Sequence, residues 1–169
     1  LLLLMVGVGF MDDLYDLTPS IKFAVQIVAA LLLYFVCDLR IDNLHGILGI
    51  YELPRLVSLL LTLVACVGLI NSLNLIDGID GLSSGYSMVA ASLLAAWTSM
   101  QGGYIGIVVS CALIGALIPF FVHNVFGKRY KMFMGDAGSY LLGVIFCVMM
   151  LDALNSTLNG PEMEVALIP

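Results

Sequence analysis

Three short polar stretches interrupt a chain that is otherwise strongly apolar. Each carries groups suited to phosphate and metal. The first holds Asp12, Asp13 and Asp16; the second holds Asn71, Asn74, Asp77 and Asp80, with Gly78 and Gly81 interleaved; the third sets Asp136 between Gly135 and Gly138, followed by Ser139. Ionisable groups are costly beside a bilayer, so where they persist they mark function. In the second stretch the polar residues recur every third position. On a helix each step of three rotates the side chain by about 60°, so the first three share one side of a helix end. The two glycines let the chain unwind there and turn Asp80 back. Such an oxygen-rich concavity suits Mg²⁺, which takes one or two protein oxygens and completes its shell with substrate phosphates. Asp136 precedes an apolar run, so it serves as a helix N-cap or as a metal ligand at the helix's positive end, where phosphate also binds. Asp13 and Asp16 stand three apart and can face one ligand. Phe133 offers either a stacking face for a nucleobase or an interfacial anchor. The chemistry these groups fit is Mg²⁺-dependent phosphoryl transfer, which needs positioning and charge neutralisation more than covalent help.

The elements that must hold these groups are membrane helices. Of 169 residues, 62% are hydrophobic and 11% are charged, against roughly 25% charged in a soluble domain. Apolar runs near 20 residues long, without strict alternation, predict an all-α, polytopic membrane helical bundle rather than a barrel. The first run, 1–11, ends a partial helix that delivers Asp12 and Asp13 to the surface. Five full spans are expected over about 21–37, 56–75, 82–100, 104–122 and 139–154, with Pro19 in the first turn of the first of them. The polar, Gly-containing stretch 38–54 reads as an extracytoplasmic loop with room for a small β-hairpin. An even number of crossings separates each pair of polar stretches, which places all three on one membrane face. That face carries Lys22, Lys128, Arg129 and Lys131, while the other carries Arg40 and Arg55. The bias points to a cytoplasmic site in a multi-pass membrane protein.

Other features carry less. Cys37, Cys66, Cys111 and Cys147 stand singly in apolar runs and read as packing or lipid-facing residues. His45 and His123 read as ordinary loop or interface residues. A net charge of −6 without a basic stripe argues against nucleic acid. The chain opens on Leu1 inside an apolar run too short to span, and its tail turns apolar again over 162–169. The expectation is one membrane catalytic domain over 1–169, truncated at both ends.

In these residues the chain resembles the polyprenyl-phosphate N-acetylhexosamine-1-phosphate transferase family (glycosyltransferase family 4, the MraY, WecA and TagO type). The resemblance rests on Asp12, Asp13 and Asp16, on Asn71 through Leu82, and on Phe133 through Ser139, three motifs in order at matching membrane spacing. It implies transfer of a sugar 1-phosphate from a UDP-N-acetylhexosamine to a polyprenyl phosphate, such as undecaprenyl phosphate, with release of UMP. It further implies that Asn74 and Asp136 ligate Mg²⁺, with Mn²⁺ a substitute, and that Asp12, Asp13 and Asp136 are catalytic. Asp12 and Asp13 would orient the acceptor phosphate or take its proton. A phosphate monoester is mostly dianionic at pH 7, its second pKa being about 6, which favours orientation. Asn71, Asp77, Asp80, Phe133 and Lys22 would contact substrate, Phe133 by stacking on uracil. A homodimer is compatible with this picture. Asp16 stands where the muramoyl-pentapeptide branch typically has Lys, which favours a simple donor such as UDP-GlcNAc. The family's His-rich loop has no counterpart here, and the family's ten or eleven spans exceed those counted.

Two other classes compete. An ion-coupled transporter also uses acids and amides at broken helices, but wants them near mid-membrane. A CDP-alcohol phosphotransferase would need an Arg after its paired Asp, which the stretch from Asp77 to Gly81 lacks. The 169-residue piece alone is expected to be inactive while its full-length parent is active. UMP production by the reconstituted piece would overturn that expectation.

Overall fold

In a computed structural model, which describes residues 1–44, 46, 49–127 and 132–159 (156–159 in backbone only), six helices follow one another: α1 (Leu2–Tyr15), α2 (Pro19–Phe35), α3 (Arg55–Ile76), α4 (Leu82–Met100), α5 (Tyr104–Phe126) and α6 (Gly135–Asn159). Expectations placed on His45, Lys128, Arg129, Lys131 and the 162–169 tail fall outside the described residues. The bundle is all-helical as expected. By length and composition α3, α5 and α6 can each cross a membrane; α2 is apolar but shorter, at 17 residues. The α4 bounds coincide with those read from the sequence. Pro19 opens α2, its missing N–H falling where no helical partner exists.

Two boundaries differ in ways that matter. The first helix does not stop at residue 11 but runs on to Tyr15, so Asp12 and Asp13 lie in its last turn, and Asp16 caps it in the left-handed conformation, φ 48°. Asp13 and Asp16 therefore do not share a helix face as the spacing of three suggested. The last helix begins at Gly135 rather than 139, which puts Asp136 in its first turn instead of ahead of it. In the 38–54 loop the described residues form no strand, only an antiparallel bridge between Asn43 and Glu52, with the Leu44 N–H donating to the Tyr51 carbonyl at 2.9 Å. A two-strand hairpin is marginal without a sheet to join.

The core has two lobes that share α6. Met5, Ala29, Ala30, Leu33, Cys66, Ile70, Val144 and Cys147 join α1, α2 and α3 to one side of it. Leu73, Ala91, Leu117, Leu142 and Phe146 join α3, α4 and α5 to the other. Cys66 and Cys147 are thus packing residues, while Cys37 and Cys111 are exposed. Large apolar side chains left outside, such as Val64, Leu93 and Ile105, face where lipid lies along a membrane helix. Pro119 sits inside α5, a placement membrane helices tolerate.

α1 and α6 run antiparallel in close contact, and Gly9 is why they can. A β-carbon there would overlap the backbone of Ala137. Gly9→Val should therefore push α6 away and cost about 1–3 kcal/mol, lowering the thermal midpoint in detergent by several degrees. Gly7→Ala, with nothing within 4 Å of its added carbon, should leave the midpoint unchanged or raise it slightly, since Ala favours a helix interior over Gly.

Candidate active site

All three polar stretches meet at one end of the bundle, where α1 ends, α2 begins, α3 ends and α6 begins. Asp12 is the best-held group among them. Its residue exposure is 1%. One carboxylate oxygen accepts the Leu17 N–H at 2.9 Å; the other accepts the Tyr140 hydroxyl at 3.2 Å and pairs with the Lys22 ammonium at 2.6 Å. A buried carboxylate without partners would cost several kcal/mol, so its three donors are a condition of its being there. Lys22 reaches onward to Asp136, 3.5 Å away.

Asp13, the adjacent residue, faces α6. Its two oxygens accept the N–H groups of Asp136 at 2.8 Å and Ala137 at 3.2 Å. The cap of α6 is therefore a carboxylate from another helix, and Asp136 keeps its own side chain for other work. An N-cap of this kind contributes about 1 kcal/mol, and the helix dipole favours the negative charge. Gly135 makes room: its φ is +71°, and a β-carbon there would lie 2.9 Å from an Asp13 oxygen.

Asp136 contacts the side-chain amide of Asn74, which also donates to the Ser139 hydroxyl at 2.9 Å; Ser139 in turn donates to the Asp136 carbonyl at 3.2 Å. Asn71, one turn earlier on α3, points elsewhere. It pairs reciprocally with Gln26 of α2 and donates to the Val67 carbonyl at 2.9 Å, so its polar atoms serve the α2–α3 interface. Asp77 caps the C-terminus of α3. Burial raises its carboxyl above the ordinary value of 3.8, and the nearby Asp136 and Asp13 charges push the same way, while the Gly135 N–H pulls it back. Asp80 and Phe133 are exposed, Phe133 to 69%, on the segments flanking the cluster. His123 lies in the last turn of α5 rather than in a loop, with its ring nitrogen 2.8 Å from the Pro119 carbonyl.

Three residues essential to this geometry escaped the sequence reading. Gln26 is a lone amide inside an apolar helix, four residues after Lys22. Tyr140 lies four residues after Asp136, on the same helix face. Asn124 accepts the Gly81 N–H at 2.6 Å and donates to the Met132 carbonyl at 2.7 Å, which ties the second polar stretch to the approach to the third. The intramembrane position of Gln26 was the available signal; a tyrosine in an apolar run gives none.

The donor set fits a hard divalent cation. Asp13, Asp77 and Asp136 crowd around the start of α6, and the nearest ammonium is already paired with Asp12. No cage of three His, Cys, Asp or Glu side chains exists among the described residues. The Asn74 amide oxygen and nitrogen are interchangeable by rotation, so Asn74 can present oxygen to a cation beside Asp136. The acids of the three polar stretches gather at helix ends, not mid-span, which is not the arrangement of an ion pathway through the bilayer. A cavity of about 610 Å³ lined by Tyr34, Arg40, Asp42 and Arg55 opens at the opposite end of the bundle and takes no part in the cluster.

An acid whose folded pKa is raised opposes folding once ionised and ceases to do so as pH falls through that pKa. Asp77→Asn should thus raise the thermal midpoint at neutral pH without divalent cation. The gain should shrink towards zero below pH 4, and the variant should lose part of the stabilisation that added Mg²⁺ gives the parent. Equal midpoints for both proteins at every pH would contradict the crowding described above.

Comparison with known proteins agrees with this architecture. A family model described as glycosyl transferase family 4 matches residues 1–154. Among curated relatives, the undecaprenyl-phosphate alpha-N-acetylglucosaminyl 1-phosphate transferase of Pasteurella multocida is 41% identical over 165 residues, covering 93% of this chain and 44% of its own length. The Salmonella typhi protein of the same name is 38% identical over 169 residues, covering 96% and 45%. That of Haemophilus influenzae is 34% identical over 164, covering 95% and 46%. The chain spans about half the length of these relatives. On this match, which covers nearly all of it, the chain belongs to glycosyl transferase family 4.

Proposed function

We propose that the protein transfers N-acetylglucosamine 1-phosphate from UDP-GlcNAc to undecaprenyl phosphate, releasing UMP, as an early membrane step in the synthesis of a cell-envelope polysaccharide. The observation that carries this reading is the convergence of Asp12, Asp13, Lys22, Asn74 and Asp136 on one end of the bundle. The names of the relatives supply the donor sugar and the acceptor lipid.

In this reading an oxygen of the acceptor phosphate attacks the β-phosphorus of the nucleotide sugar. The new bond is P–O to that phosphorus. The bond that breaks joins the β-phosphorus to the bridging oxygen, which leaves with UMP. Mg²⁺ held by Asp136 and Asn74 would supply charge neutralisation on the diphosphate. Lys22, on the same edge, offsets charge on the incoming phosphate. Asp12 is filled with donors, which supports a role in orienting Lys22 over one in accepting a proton; the acceptor phosphate at pH 7 has no great need of a base. Asp13 sets the position of α6 and hence of Asp136. Asp77 and Asp80 border the nucleotide-sugar side, and Phe133, exposed beside the start of α6, is placed to stack on uracil. Asn71 acts through the α2–α3 contact. The excess of Lys and Arg on this face supports a cytoplasmic site in a bacterial inner membrane.

Membranes containing the full-length protein, given undecaprenyl phosphate and UDP-GlcNAc, should release UMP only with Mg²⁺ or Mn²⁺. Asp136→Asn should lower the rate at least about 100-fold, as loss of a charge-stabilising group does. Release that proceeds without the lipid, or that survives Asp136→Asn, would refute the reading. Release with another UDP-sugar but not UDP-GlcNAc would keep the transferase and correct the donor.

A further inference from the structure

Tyr140 is fully buried, at 2% exposure, and its hydroxyl donates to Asp12 across 128 residues of sequence. It stands one helical turn after Asp136 on α6, so both face the end of α1. The oxygen it reaches is the same one that pairs with Lys22. This carboxylate thus has one oxygen fixed by the chain after α1, through the Leu17 N–H, and the other fixed by α6 and α2 together. The Lys22 side chain is 27% exposed and its ammonium faces Asp136 on the open side. Its shorter contact, 2.6 Å to Asp12 against 3.5 Å to Asp136, is the stronger anchor for that charge.

We infer that Tyr140 is a positioning residue for phosphoryl transfer: its hydroxyl fixes the Asp12 carboxylate, and through it the Lys22 ammonium beside Asp136. The inference rests on the transferase reading above and adds to it a residue outside the three polar motifs. Without the hydroxyl, Asp12 keeps two donors and stays paired, so the fold survives. Its Oδ2 is then free to rotate, and Lys22 with it. A displaced charge of this kind acts on the transition state more than on ground-state binding, because charge is redistributed there and misplacement by about 1 Å can cost up to about 100-fold.

The test uses the full-length protein in detergent or reconstituted membranes, with UMP release as readout. Tyr140→Phe removes one atom. It should lower kcat about tenfold, within what a hydrogen bond to a charged group can supply. KM for UDP-GlcNAc should change by less than about twofold, and the thermal midpoint by no more than a few degrees. In an Asp12→Asn background the same substitution should cost less than about twofold, since residues acting through one another are not additive. Replacing Tyr140 by 4-aminophenylalanine keeps the ring and a donor, and should restore at least half of kcat even where the Phe variant folds poorly. An unchanged kcat in Tyr140→Phe overturns the inference. So does a full tenfold loss on top of Asp12→Asn, or an inactive 4-aminophenylalanine protein. If the parent releases no UMP with any UDP-sugar, the transferase reading and this inference fall together; an active parent with an indifferent Tyr140→Phe sinks this inference alone.

Discussion

A carboxylate with almost no contact with water must be surrounded by donors, and that requirement at Asp12 organises the functional end of the bundle. Its donors come from three places: the turn after α1, the start of α2, and α6. None can move far without leaving a buried charge partly unmatched, at a cost of several kcal/mol. The neighbouring Asp13 adds a second constraint by closing the N-terminus of α6. Consecutive residues on a helix point about 100° apart, so one dipeptide addresses α2 and α6 at once. The rotation of α1 about its axis is thereby fixed, and with it the place of Asp136.

The stability of this end and its chemistry draw on the same groups. Burial raises the Asp77 carboxyl above its ordinary value, and the charges of Asp136 and Asp13 add to the rise. A fold chosen for stability alone would have no use for three acids around one helix start. In the proposed reaction their crowding would be relieved by the cation and phosphates that bind there. The rest of the molecule compensates through apolar packing, with α6 at the centre of both core lobes.

Much of this was legible in the sequence. Apolar run lengths gave the helices, and the parity of crossings put the three polar stretches on one face, where the structure finds them. What the sequence concealed was division of labour among like residues. Asn71 and Asn74 are one turn apart and look equivalent; packing against α2 hands Asn71 to Gln26, while Asn74 meets Asp136. Asp12 and Asp13 look like a pair acting on one ligand, yet Asp12 joins Lys22 of α2 to Tyr140 of α6 while Asp13 caps α6. Asp136 read as a cap of its own helix or a metal ligand, and the capping is done by a carboxylate 123 residues earlier. Such partnerships depend on tertiary proximity, which no local spacing encodes. Tyr140 was hidden for a related reason: in an apolar helix a tyrosine reads as bulk until its hydroxyl is seen to have a partner.

The sequence distances within this cluster also order its assembly. Lys22 follows Asp12 by only ten residues, so the acid and its counter-charge are joined by a short stretch of chain within the α1–α2 pair. Asp13 must wait for α6, the last of the six. The ion pair is thus a local contact that closes a short loop, whereas the cap closes one of 123 residues, so the cap carries the larger loop-closure entropy.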